Sequence, residues 1–210
     1  MNLYLVRHGQ TAFSRENRFC GTSDPALTDV GQAMADALAT AYAATPWDAI
    51  YTSPMIRARQ TAAPLEKLTG VTATVEAGLT EIAYGEWEGL TVDEVKARWP
   101  EAYEYWAEDV ASRGTPGGET AFYVAARAMR GVEAIRTRHA TGNVLLVSHK
   151  ATLRIITCAL LGLDVRLFRE RIAQPVAAVS MFVLETGASR LTILGDRTHL
   201  SEELRNQEGT

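Results

Sequence analysis

The alternation of apolar and polar positions divides the chain into short strands and amphipathic helices. Asn2 to Val6 (NLYLV) is an apolar and aromatic run that predicts a buried strand, and Gly9 lets the chain turn away just beyond Arg7 and His8. After an irregular loop from Gly9 to Leu27, Thr28 reads as a helix N-cap, and Ala33, Ala37, Leu38 and Ala41 recur at helical spacing. Asp48 to Thr52 predicts a second strand. Ser53-Pro54 predicts the start of the next helix, with Ser53 as cap and Pro54 at the first helical position, and Gly70 ends it. Val71 to Val75 reads as a third strand. A long helix is predicted from Glu119 to about His139, then a strand in NVLLVSH ending at Ser148-His149, then a helix to Leu161. Val176 to Leu184 and Leu191 to Leu194 complete the strands. Alternating strands and helices predict an α/β fold.

The stretch from Gly85 to Gly118 shows no strong strand. It holds two short helical patterns and Trp87, Trp99, Tyr103, Tyr105 and Trp106, which predict a helical cap at about 86–118 inserted in one domain spanning 1–210. The chain length and its 47% hydrophobic and 22% charged residues fit one sizeable core. A formal charge of −4 argues against a nucleic-acid binder, but a local arginine cluster can still attract an anionic metabolite. Cys20 and Cys158 lie far apart with no metal-like spacing, so neither a disulfide nor a metal is expected from them. No signal peptide or apolar run of membrane-spanning length is visible, and a cytoplasmic location without membrane association is the expectation.

Two strands, LYLVRH and VLLVSH, each deliver a histidine at their carboxyl end. If both are central and parallel, His8 and His149 emerge on the same edge of the sheet, where open α/β sheets bind ligands. Arg57, in the first turn of the helix after the second strand, is predicted at that edge too. Either histidine alone is weak evidence of catalysis, since such residues are commonly surface or core groups; the coincidence of two with Arg7 is what points to a site.

The stretches LVRHGQT, SPMIRARQTA, LTEIAYGEWEG, PGGE and VSHKATLR, in this order, resemble the histidine phosphatase superfamily, the phosphoglycerate mutase-like family, over Leu3 to Leu200. The resemblance implies a three-layer α/β/α sandwich around a mixed, mostly parallel sheet. It implies that His8 is the nucleophile that becomes phosphorylated, that Arg7, Arg57 and His149 surround the transferred phosphoryl oxygens, and that Glu81 is the proton donor. Two positions depart from the family pattern. An asparagine expected after the first motif is Ser14, still able to hydrogen-bond phosphate, and a glycine expected after the second histidine is Lys150.

Arginine suits phosphate because its planar fork stays charged and donates several bonds. Two arginines and a protonated His149 would supply the positive charge that a metal otherwise brings, so no cofactor is expected. A nucleophilic His8 needs one ring nitrogen held as N–H by an acceptor, a backbone carbonyl being the expected one. Glu81 should be partly desolvated to act as an acid. Thr22, Ser23 and Glu119 are candidates to line the pocket, and Lys150 to pair with a second anionic group of the substrate. The expected partner is a small phosphorylated metabolite, with a homodimer left open. The family's mutases carry a long insertion between the acid residue and the second histidine and differ where this chain reads YGEWEG, so the resemblance of this compact chain to the phosphatases implies water as the phosphoryl acceptor. Phosphoglycerate mutase-type transfer and an inert phospho-ligand binding module are the alternatives, and a zinc site from His8, His149 and Glu81 is disfavoured by the adjacent arginines.

Overall fold

Strands that are apolar on both sides can be stable only between two layers of helices. The computed structural model, which describes residues 1–209, shows this arrangement. In chain order the elements are β1 (Asn2–Arg7), α1 (Ala12–Arg15), α2 (Asp29–Tyr42), β2 (Trp47–Thr52), α3 (Ile56–Thr69), β3 (Ala73–Val75), α4 (Val92–Arg98), α5 (Pro100–Glu108), α6 (Ala121–Arg138), β4 (Asn143–Ser148), α7 (Lys150–Leu161), α8 (Phe168–Arg171), β5 (Val179–Glu185), β6 (Ala188–Asp196) and α9 (Glu202–Arg205). The sheet order is β3-β2-β4-β1-β5-β6. β3, β2, β4 and β1 run parallel, and β5 is antiparallel to both of its neighbours.

Successive residues of β1 and β4 face opposite layers. Leu3, Leu5, Val144 and Leu146 pack with Val132 and Ile135 of α6 and Leu153 and Ile156 of α7. Val6, Leu145 and Val147 pack with Leu38 of α2 and Ala58, Ala62 and Leu65 of α3. The fold is therefore the expected three-layer sandwich with a mixed, mostly parallel sheet. A separate aromatic cluster of Trp87, Val95 and Trp106, with Phe19 and Tyr103 against it, holds α4 and α5 together beside the carboxyl edge. No helix of the described residues is long and apolar enough to cross a membrane.

Several local expectations change. The predicted irregular loop contains α1, because Thr11 and Ser14 form a reciprocal capping box that closes one helical turn. Ser53 does not cap α3: the helix begins at Ile56, whose N–H is taken by Asp24 Oδ1 at 2.8 Å. Gly70 does end α3, in the left-handed conformation (φ 73°) that glycine tolerates. The third strand shortens to Ala73–Val75, and the last lengthens to Ala188–Asp196 because pairing with β5 sustains it. β5 starts only at Val179, after a turn in which Ala177 has φ 53°.

Candidate active site

The adjacency of the two histidines is a matter of strand register. β1 and β4 are neighbours with Arg7 opposite Ser148, so the next residues, His8 and His149, leave the sheet together. The His8 N–H donates to the Ser148 carbonyl at 3.0 Å, and the two imidazole centroids are 5.2 Å apart. His8 Nδ1 lies 2.7 Å from the Gly9 carbonyl oxygen. A carbonyl can only accept, which assigns the proton to Nδ1 and leaves the Nε2 lone pair available. Gly9 itself is required by close packing, since a Cβ there would lie 2.5 Å from the Gly31 carbonyl oxygen. Burial, reinforced by Arg57 and Arg7, holds the His8 imidazole well below its ordinary titration range.

His149 is fixed at both nitrogens. Arg57 Nε–H donates to Nδ1 at 3.1 Å, and Nε2 lies 2.7 Å from Ser53 Oγ. An Nδ1 that accepts cannot carry a proton, so His149 is neutral. Burial, followed by Arg57, His8 and Arg7, lowers its pKa well below the ordinary value. His149 is therefore a neutral ring here, where a protonated one was expected around the phosphoryl oxygens. Ser53, read as a helix cap from the sequence, is instead the partner of that ring.

Arg57 has no exposed surface. Its other two nitrogens donate to the carbonyls of Ser23 (2.7 Å) and Gly21 (3.0 Å), and Asp24 lies 3.6 Å away. Those two carbonyls belong to a loop anchored by Glu88, whose oxygens accept from the N–H groups of Gly21, Thr22, Ser23 and Tyr84. Burial raises the Glu88 pKa, but these backbone donors outweigh it and the net shift is downward. Arg7 is also buried; its Nη1 donates to the Gln174 carbonyl at 2.8 Å, while its Nε has no partner among the described residues. Burial pushes its pKa down to about 9, partly offset by Glu81, so it remains a cation at neutral pH.

Glu81 is 5% exposed and reaches the amino end of α7. Oε1 lies 2.9 Å from the Ile82 nitrogen and 3.0 Å from both the backbone nitrogen and the hydroxyl of Thr152; Oε2 accepts the Ala151 N–H at 3.0 Å. The segment that carries it is clamped twice. Ser148 Oγ donates to the Leu79 carbonyl at 2.6 Å, and the Arg127 guanidinium donates to the carbonyls of Gly78, Thr80 and Glu81.

Arg7, His8 and Glu81 line one open cavity of ≈ 230 Å³ at the carboxyl edge. Arg57 and His149 are fully buried outside its lining, behind the residues expected to share phosphate contact with them. Lys150 lines the cavity as the first residue of α7. Ser14 lines it too, but its hydroxyl donates to the Thr11 carbonyl at 3.0 Å and accepts the Thr11 N–H, so the capping box competes with any phosphate contact. Three candidates lie outside the cavity lining. Thr22 is exposed with its N–H on Glu88, and Glu119 is ion-paired to Arg127 at 2.9 Å; neither reaches the cavity, nor does Ser23. Among the described residues, no group of three or more histidine, cysteine, aspartate or glutamate side chains is placed to hold a metal ion.

The family model of the histidine phosphatase superfamily (branch 1) matches residues 3–197. The chain belongs to that superfamily. Phosphoserine phosphatase 1 of Hydrogenobacter thermophilus is 33% identical over 168 residues, 80% of this chain and 80% of that protein. A 2,3-bisphosphoglycerate-dependent phosphoglycerate mutase of Methylobacterium radiotolerans is 37% identical over 169 residues, 77% of this chain and 79% of that one. The structure of a mycobacterial glucosyl-3-phosphoglycerate phosphatase superposes with a TM-score of 0.85 at 28% identity, covering 93% of this chain and 99% of the other.

In this histidine phosphatase the sequence signals missed five groups. Asn17, in the left-handed region at φ 52°, and Arg18, Arg154 and Arg169 all line the cavity. Glu88 lies outside it but braces the loop that holds Arg57. The three arginines fall in ordinary polar positions of helices and loops, where nothing in spacing distinguishes a cavity wall from a solvated face. Asn17 had one usable signal, because asparagine tolerates the left-handed conformation a tight turn needs.

Proposed function

We propose that this histidine phosphatase is a phosphomonoesterase acting on a small phosphorylated metabolite through a phosphohistidine on His8. The observation that carries the reading is the His8 ring: Gly9 holds Nδ1, and Nε2 is left as a nucleophile in a cavity shared with Arg7 and Glu81. In the first step the Nε2 lone pair forms the N–P bond while the P–O bond to the alcohol breaks. Glu81 gives its proton to the departing alkoxide from Oε2, the oxygen with one donor rather than three. In the second step Glu81 takes a proton from water, whose oxygen attacks phosphorus. The N–P bond breaks, its electrons return to Nε2, and orthophosphate leaves.

Arg7 meets the charge on the phosphoryl oxygens, its unpartnered Nε being a ready donor. Arg57 acts from behind, by fixing His149 and adding positive charge near the reacting phosphorus. Once a dianion binds, its field favours protonation of His149, which is then released from its role as acceptor for Arg57. The 86–118 segment serves as a cap, contributing Val92 to the cavity wall, with Tyr84 on that wall just before it.

Turnover of p-nitrophenyl phosphate by the wild type and by His8→Ala, each with and without EDTA, tests this reading. Hydrolysis that survives the chelator and disappears with His8 supports it. Zinc-restored activity, or full activity without His8, overturns it. The mutase among the relatives favours a second reading, return of the phosphoryl group to a substrate hydroxyl. Product analysis separates the two, since hydrolysis releases orthophosphate and mutase transfer yields an isomeric ester.

A further inference from the structure

The tautomer of His8 depends on a carbonyl that belongs to a glycine, the residue with the freest backbone. Such a carbonyl keeps its direction only if the backbone around it is held from outside. The peptide unit between His8 and Gly9 is pinned at both ends. The His8 carbonyl accepts the Ala177 N–H at 3.2 Å, and the Gly9 N–H donates to Thr61 Oγ1 at 3.0 Å. Packing against the Gly31 carbonyl limits where the Gly9 Cα can lie, but a directional bond is what fixes the rotation of the peptide plane. Thr61 sits fully buried on α3, one turn beyond Arg57, and its hydroxyl donates in turn to the Arg57 carbonyl at 2.8 Å. One hydroxyl thus ties the segment that sets the His8 ring to the residue that sets His149.

A threonine that bonds back to the carbonyl four residues earlier is ordinary in a helix. Thr40, Thr69 and Thr137 do so on Asp36, Leu65 and Glu133, at exposed or half-buried positions. Thr61 differs in being fully buried and in accepting an N–H from a residue 52 positions away. Without its oxygen, the Gly9 N–H would be a buried donor with its acceptor removed. We propose that Thr61 is a positioning residue for the nucleophile: its hydroxyl fixes the Gly9 peptide, so that the Gly9 carbonyl holds the proton on His8 Nδ1 and leaves Nε2 aimed at phosphorus. It acts through Gly9 and lies outside the cavity lining. The proposal rests on the phosphatase reading for what His8 attacks, whereas the tautomer is a property of the resting protein.

Thr61→Val removes the hydroxyl at nearly constant shape, and Thr61→Ser keeps the hydroxyl but removes the methyl. Thr40→Val removes a back-bond of the same kind on α2. Nitrogen-15 spectra of the imidazoles and steady-state kinetics with p-nitrophenyl phosphate are compared across the three variants and the wild type. Thr61→Val should show His8 as a mixture of tautomers and lose about tenfold or more in kcat, with KM within about twofold of the wild type. Thr61→Ser should keep the single tautomer and most of kcat even at a lower thermal midpoint, and Thr40→Val should match the wild type in both. If Thr61→Val does not fold, Thr61→Ala is read in the same way. A single His8 tautomer with wild-type kcat in the variant lacking the hydroxyl overturns the proposal. So does a loss in Thr61→Ser equal to that in Thr61→Val, which assigns the effect to packing. A wild type inactive toward the ester would instead overturn the phosphatase reading, and the tautomer comparison would then decide the proposal alone.

Discussion

Arg57 Nε–H donates to His149 Nδ1 at 3.1 Å, so a buried cation sets the tautomer of a buried histidine. The consequence is directional: with Nδ1 an acceptor, the ring proton sits on Nε2, 2.7 Å from Ser53 Oγ. Arg57→Lys keeps the charge but cannot reproduce the fork that spans His149, Ser23 and Gly21. A fall in kcat/KM of about 100-fold is expected, the scale of losing one preorganised donor set. Nitrogen-15 spectra of the imidazoles provide the check: the wild-type His149 should show one unprotonated Nδ1, and the variant a mixture of tautomers. Near-wild-type activity together with an unchanged spectrum would refute the assignment.

Glu81→Gln removes the proposed proton donor while keeping one oxygen for the Thr152 donors, with the amide nitrogen then facing the Ala151 N–H. Hydrolysis of alkyl phosphates should then fall by about 100-fold or more, while p-nitrophenyl phosphate, with its good leaving group, loses far less. Comparing kcat for the two ester types measures this. Equal losses would show that Glu81 acts on binding and not on the leaving group.

Glu88 lies outside the cavity, yet its carboxylate is the anchor for the backbone that holds Arg57. Glu88→Ala leaves the N–H groups of Gly21, Ser23 and Tyr84 without their acceptor and frees the loop. The expected result is a drop in kcat of about tenfold or more at similar KM, together with altered His149 spectra, because misplacement of the arginine travels to the ring. Unchanged kcat would mean that the loop holds its shape without the carboxylate.

The imidazoles of His8, His149 and His199 all have pKa values lowered by burial below the ordinary 6.5. The unfolded chain therefore binds protons from about that pH downward while the folded protein does not. Stability present above pH 6.5 is lost as the pH falls toward the folded values. Urea titrations between about pH 8 and pH 5 should show this decline. Saturating orthophosphate should make it shallower, since an anion beside His8 and His149 raises their folded pKa values. A flat profile, or an equal slope with phosphate, would contradict the neutral-ring description.

The elements were legible because the central strands are apolar on both faces, a pattern few other structures require. His8 and His149 were legible for the same reason: a polar residue directly after such a strand has one edge at which to emerge. A backbone carbonyl as partner for the His8 ring followed from the chemistry of a nucleophilic imidazole, though not that it is the carbonyl of Gly9. Ser53 was misread because Ser-Pro is a good local helix start, whereas its hydroxyl answers to a histidine 96 positions away. Glu119 and Glu88 show the converse difficulty. Each carboxylate takes its identity from distant backbone, the Ala83 N–H for Glu119 and the 21–23 amides for Glu88, which no local pattern reveals. Arg154 and Arg169 become cavity residues only once α8 folds back toward α7.

The in-register pairing of β1 with β4 brings residue 8 against residue 149 across most of the chain's length. Such a contact closes a very long loop, and pairings of this kind are intrinsically slow to form. As the chain leaves the ribosome, β1 emerges with His8 but without the strand that brings His149 beside it. On the proposed mechanism the unfinished polypeptide is chemically silent toward phosphate esters until β4 inserts between β1 and β2. Recovery of activity after dilution from denaturant should therefore report that one insertion, lagging behind helical ellipticity.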